Sequence, residues 1–351
     1  MHSARTPSNL DCGAKTAMMH LLHLWQRFAR PGTGMLLLAA LVCGHLSPAF
    51  ADPPTPITIA TGSSVPATVL FVAQEMGFFA QEGLEVKLQD CVIGSRCITD
   101  MLDGKAQFSS AGDLAIMFNS LSRQDFSVLA TYCSSTSILK LITRKSARIV
   151  KAQDLIGKRV GMPKKSAAHY FLDNLMLLEG IEPTRVQHVF LEPEDMSAAL
   201  ASGAVDALSS LEPIASKQRA ALGKDAFEIK VPPYNLSTHL VALRSTVAQS
   251  PRDTVKLLRA MEKSVQFIAH EPLKAKAVLA KHSGMEAAAL DALWAGSQFK
   301  LVLDPSLLVT LNSAARWAKN ENLTNGAQVP DFSGFINPGP LNAAKSKGII
   351  K

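Results

Sequence analysis

The sequence predicts an α/β fold of two lobes, each a mainly parallel sheet flanked by helices, with a ligand cleft between them. Three observations predict it. Strand-like and helix-like apolar runs alternate along the chain, the alternation occurs twice, and the two rounds share a framework displaced by 99 positions. Such alternation marks a parallel sheet, because parallel neighbours need a crossover helix between them.

In the first round, ITIA (57–60) reads as a strand that leads through small residues at 61–64 into a helical run over 67–76, stopped by Gly77. LEVKL (84–88) is a strand, GSRCITDML (94–102) a helix and FSSAG (108–112) a strand. The second round repeats this with KRVGM (158–162), a helix over 168–178, VQHVFL (186–191), a helix over 194–201 and ALSSL (207–211). The offset pairs Gly104 with Gly203, Gln107 with Asp206, Ser110 with Ser209 and Asp113 with Glu212. In each round a strand ends in a small-residue turn and enters a helix, so unpaired backbone N–H groups point outward at the carboxyl edge of the sheet. Two such edges facing each other form the cleft.

Ahead of this lies a segment that reads as a secretory leader. GMLLLAALVCGHL (34–46) is too short to span a bilayer, follows Arg27 and Arg30, and precedes small residues at Ala49 and Ala51. Cleavage is expected after Ala51. Cys43 does not read as a lipidation site, because Val42 stands where such a signal carries a small residue. Without the leader, which holds Arg5, Lys15, Arg27 and Arg30 against Asp11, the net charge falls from +7 to +4. The basic residues are scattered and lack interleaved aromatics, which argues against nucleic acid as a partner. Three cysteines remain. A Cys91–Cys97 bridge is sterically allowed and suits an oxidising compartment, with Cys133 left as a buried thiol; no histidine stands at ligand spacing from any of them, and no metal is expected.

The residues also carry a resemblance. FVAQEMGFFAQEGLEVKL, the turn at Gly94, MLDGKAQF and SAGD resemble the first lobe of the sulfonate, nitrate and taurine binding proteins related to thiamine-precursor proteins. DLIGKRVGMPKKSAAHYFLDNLM, with Ser166 and His169, resembles the opening of their second lobe, and ALASGAVDALSSLEP a stretch that there often ends in aromatic-Asp-Pro. Departures are Leu211-Glu212-Pro213 in place of that motif, and Lys164 and Lys165 where glycine is frequent. The resemblance implies a type II periplasmic binding protein-like fold. It implies the solute-binding subunit of an ABC importer, capturing a small anionic organic solute by lobe closure and delivering it to an inner-membrane permease and its ATPase. The implied protein is periplasmic, monomeric, free of cofactors and not an enzyme. A pyrimidine or thiamine precursor, an aromatic carboxylate, or service to a sensor system are the alternatives. The mature chain holds no G-x-S-x-G, P-loop or H-E-x-x-H motif.

The expected segments are a leader (1–51), first lobe (52–145), second lobe (146–237), a return to the first lobe with C-terminal helices (238–320) and a loop-like tail (321–351). The chain is expected to cross between lobes near 143–146 and 237–244. Ser250-Pro251-Arg252-Asp253 reads as a capping box and Asp304-Pro305 as a second helix start.

Helix N-termini carry unpaired donors and about half a positive charge, so several converging on a cleft hold an anion without a lysine. The candidate ligand-binding residues are therefore Ser63 and Ser64, Gly94, Ser95 and Arg96, Ser110, Ala111 and Gly112, and Ser166, Ala167 and His169. Arg96 offers a fork for an oxyanion. His169 at a helix start is expected neutral and able to donate. Glu212 is a partner for an ammonium on a zwitterion, whereas Asp113 is expected to cap its own helix. Tyr132, Tyr170 and Tyr234 are candidate walls and Asn235 a hinge-side donor.

Overall fold

The computed structural model describes residues 53–91 and 94–346; the leader and its cleavage point lie outside the described residues. Eleven strands run in chain order as β1 Thr55–Thr61, β2 Leu84–Asp90, β3 Phe108–Gly112, β4 Phe126–Ser135, β5 Leu139–Arg144, β6 Arg159–Met162, β7 Gln187–Phe190, β8 Ala207–Leu211, β9 Ala226–Ile229, β10 Leu236–Leu243 and β11 Ser297–Val302. They form a six-stranded sheet in the order β11-β4-β10-β3-β1-β2 and a five-stranded sheet in the order β7-β6-β8-β5-β9.

The two rounds of the sequence reappear as equivalent units. In the first, β1 lies between β2 and β3 and is parallel to both; in the second, β6 lies between β7 and β8 and is parallel to both. Gly104 and Gly203 close equivalent turns with φ of 77° and 80°, a left-handed conformation that glycine adopts without strain. To these parallel cores each sheet adds antiparallel strands, making both sheets mixed. β10 pairs antiparallel with β3 and β4, and β5 pairs antiparallel with β8 and β9. The cause is the crossing itself, because a strand arriving from the other lobe enters against the run of its neighbours.

The crossings fall earlier than the sequence suggested. β5 belongs wholly to the second sheet, so the chain leaves the first lobe through 136–138, not 143–146, and it returns through 230–235 into β10. The C-terminal segment after Ser250 is helical, as expected. Helix Pro251–His270 buries Leu257, Leu258, Met261 and Ile268, and Ser264 Oγ donates to the Val69 carbonyl at 2.6 Å. The capping box is not made: Ser250 forms no side-chain cap, and Asp253 instead pairs with Lys256 at 3.2 Å. The tail expected to be loop is structured. Phe332 and Phe335 are buried beside Phe126, a bridge joins Val128 to Ile336, and Gly339–Ser346 is a helix burying Leu341 and Ala344. Its Gly and Pro content describes tight turns between short buried pieces.

Candidate ligand-binding cleft

The carboxyl edges of β1, β3, β6 and β8 meet around a cavity of about 330 Å³ lined by both lobes. Thr61, Ser63, Ser64, Ser95, Ser110 and Tyr132 line it from the first lobe; Lys165, Ser166, Ala167, Ser210, Glu212 and Lys217 from the second; Leu236 and Thr238 from the returning strand. Its remaining wall is largely apolar, including Leu114, Ile138, Met196, Leu211 and Ile214.

Six helices reach the cavity with their first residues or N-caps: Thr68–Glu75 through the turn Val65–Ala67, Gly94–Leu102, Asp113–Ser120, Ala167–Leu178, Met196–Ser202 and Ile214–Leu222. Ser64, before the first of them, makes no side-chain cap, so its hydroxyl stays free for a ligand. Ser166 differs: its Oγ accepts from the His169 backbone N at 3.2 Å and donates to the Pro163 carbonyl at 2.7 Å. It therefore serves its own helix. At the cavity floor, Ser110 Oγ donates to Thr61 Oγ1 at 2.8 Å and joins the Tyr132 hydroxyl, whose burial pushes its pKa up. The Cys91–Cys97 disulfide, with Cα atoms 5.2 Å apart, ties the end of β2 to the helix that carries Ser95, and Cys97 itself lines the cavity.

Of the expected residues, Ser63, Ser64, Ser95, Ser110, Gly112, Ser166, Ala167 and Glu212 surround the cavity, and Gly94 opens its helix. Four lie elsewhere. Ala111 points into the first-lobe core, because alternate residues of a strand face opposite sides. Arg96 turns outward to Glu192 at 3.9 Å and Glu194 at 3.8 Å, an exposed pairing across the cleft mouth. Asn235 is exposed on the return segment. His169 is buried on the far side of its helix, its ring centroid 5.0 Å from those of Phe190 and Trp317; burial holds its pKa down to about 4. Two residues after Ala167 is about 200° around the helix, away from the cavity.

The two repeat-related acids are both committed within the protein. Glu212 accepts from the Ser216 N at 2.9 Å, from its Oγ at 2.7 Å, and from Arg219. Asp113 does not cap: it accepts from the Ser237 N at 3.2 Å and pairs with His239 at 2.9 Å, pinning the returning strand. Tyr170 and Tyr234 pack on each other away from the cavity. Sequence reasoning missed the cavity's cations. Lys165, with φ of 56° and its Nζ 5.7 Å from the Phe118 ring centre across the cleft, and Lys217 join no ion pair among the described residues. The doubled lysine where glycine is frequent was the available signal. Asp90 is the remaining carboxylate on the wall, with only a 3.5 Å contact from Ser63 Oγ.

Residues 66–275 match the family model described as NMT1/THI5 like. The chain belongs to the NMT1/THI5-like family. The taurine-binding periplasmic protein of Escherichia coli (strain K12) is 29% identical over 136 residues, 38% of this chain. That match spans 42% of the relative's own length. The alkanesulfonate-binding protein SsuA from Xanthomonas axonopodis pv. citri, bound to MOPS, superposes with a TM-score of 0.69 at 16% identity, over 82% of this chain and all of that one. The desulfurization enzyme DSZB superposes at 0.60 with 16% identity, over 84% of this chain and 99% of its own. This NMT1/THI5-like chain thus has the two-lobed type II periplasmic binding protein fold, a fold that also serves an enzyme.

Proposed function

We propose that this protein is the periplasmic solute-binding component of an ABC-type importer for a small organic anion of the sulfonate class, and that it is not an enzyme. The observation that carries this reading is the cavity: hydroxyls and helix N-termini from both lobes, two lysines in no ion pair among the described residues and an apolar wall, all facing one cleft. Such a site suits an oxyanion on a short apolar body. A solute touching both lobes favours closure, because only the closed form brings both sets of donors to it. The closed form is what a permease would distinguish.

Three features support binding without catalysis. Cys97 is held in a disulfide, the Cys133 thiol is buried with its pKa pushed up, and no histidine lines the cavity among the described residues. The disulfide also suits an oxidising compartment. For a taurine-like zwitterion, Asp90 is the free partner for the ammonium, since Glu212 is taken by Arg219.

Thermal-shift and calorimetric titration of the protein with alkanesulfonates, taurine, nitrate, aromatic carboxylates and pyrimidines tests the reading. Stabilisation by a sulfonate is the expected result; a ligand at 100 times its Kd adds about 2.7 kcal/mol. Response only to neutral or cationic compounds would overturn it.

A further inference from the structure

At the seam between the lobes, away from the cavity, His169, Asp173 and His188 form a cluster that solute capture does not use. His169 and Asp173 stand one turn apart on helix Ala167–Leu178, and His188 comes from β7. One ligand-capable atom of each lies within 4.8 Å of the others. His188 Nε2 is 2.8 Å from Asp173 Oδ1, and His169 Nε2 is 3.6 Å from Asp173 Oδ2, too far for a hydrogen bond. His169 Nδ1 is buried with no hydrogen-bond partner among the described residues. A buried imidazole with neither nitrogen hydrogen-bonded is costly to a fold unless the site has another use.

We propose that this cluster binds a divalent transition metal, Zn²⁺ foremost, through His169, His188 and Asp173. Two imidazoles and one carboxylate are the mixed N/O donor set that Zn²⁺ takes, whereas Mg²⁺ and Ca²⁺ call for oxygen throughout. In a tetrahedral Zn²⁺ site, neighbouring ligand atoms are about 3.3 Å apart, so the observed separations need only small side-chain adjustments. Trp317 supplies the supporting contact such sites use, its Nε1 donating to Asp173 Oδ2 at 2.8 Å and so orienting the carboxylate. His188, whose side chain is 17% exposed, gives an approach from solvent. The fourth position is left to water or to Glu321, one turn beyond Trp317 at the end of helix Ser306–Asn320. The three ligands belong to the second lobe and Trp317 to the first, so a bound ion would stiffen the lobe seam.

The test is titration of the metal-stripped protein with Zn²⁺ alone, and with Co²⁺ for its visible spectrum. A single equivalent binding at micromolar or tighter concentration, with low-coordinate Co²⁺ absorption, is expected. His188→Gln, at a partly exposed position, should weaken binding by more than about 100-fold while circular dichroism stays unchanged. X-ray absorption at the zinc edge of the wild-type protein should show two imidazole ligands and reads the site even where the variant does not fold. His282, paired with Glu75 at 3.1 Å, is the surface control. Absence of stoichiometric binding, binding untouched by His188→Gln but lost in His282→Gln, or an edge spectrum without imidazole would each overturn the proposal.

Discussion

At the scale of single residues, charge pairing decides what each group around the cavity is free to do. Lys165 joins no ion pair among the described residues, so Lys165→Ala should weaken a sulfonate ligand by about tenfold, the size of one charge-assisted hydrogen bond, as read by calorimetry. Glu212 is committed to Arg219 and Ser216. Glu212→Ala should therefore cost about 1–2 kcal/mol in urea denaturation, because Ser216 loses its acceptor while the Arg219 guanidinium keeps Glu228 at 2.8 Å. Arg96→Ala should cost under about 1 kcal/mol, since Arg96 and both its partners are exposed. Acid sensitivity also belongs to this scale. The Arg159 side chain and backbone hold the Asp206 carboxyl below the usual range, and Arg123 does the same to Asp125. A lowered folded pKa adds stability that is present above the ordinary value of about 3.9 and lost as pH falls through the folded value. Melting temperature should hold with respect to these groups above about pH 5 and fall below about pH 4, and Asp206→Asn should flatten that fall.

At the scale of elements, the fold depends on pieces that look dispensable in the sequence. The Cys91–Cys97 bridge closes a short loop and fixes the helix carrying Ser95. Cys91→Ser with Cys97→Ser should lower stability by about 2 kcal/mol, measured by denaturant unfolding, and should weaken solute binding as Ser95 loses its anchor. The C-terminal segment is a second case. Phe335 is buried against Phe126 with ring centres 5.0 Å apart and lies under Arg244. Phe335→Ala should cost about 3–5 kcal/mol. The tail was misread because residues 321–346 show neither the helical nor the strand period for long enough to register, whereas two buried aromatics in tight turns carry their weight through tertiary contact.

At the scale of the whole molecule, the lobes are joined by the crossing strands and by contacts over the seam, of which Trp317 to Asp173 is buried. Trp317→Phe keeps the ring and removes the donor. It should shift the lobes toward opening and raise the apparent solute Kd several-fold, because the closed form is less populated; small-angle scattering of the solute-free protein reads the same shift.

What the sequence determined by itself was the repeated α/β unit, its element positions and the small-residue turns at the cleft. These follow from local physics: a period of two or 3.6, glycines at Gly104 and Gly203 that accept positive φ, and serines before helix starts. Only the tertiary structure decided which of those turns still offer a free donor. It turned Ala111, Arg96 and His169 away from the cavity, kept Tyr132 but not Tyr170 or Tyr234 as a wall, and brought Leu236 and Thr238 to it from the returning strand. It also paired Glu212 with Arg219 while leaving Lys165 and Lys217 in no ion pair among the described residues. Pairing and facing are set by residues distant along the chain, and a local pattern carries no information about them.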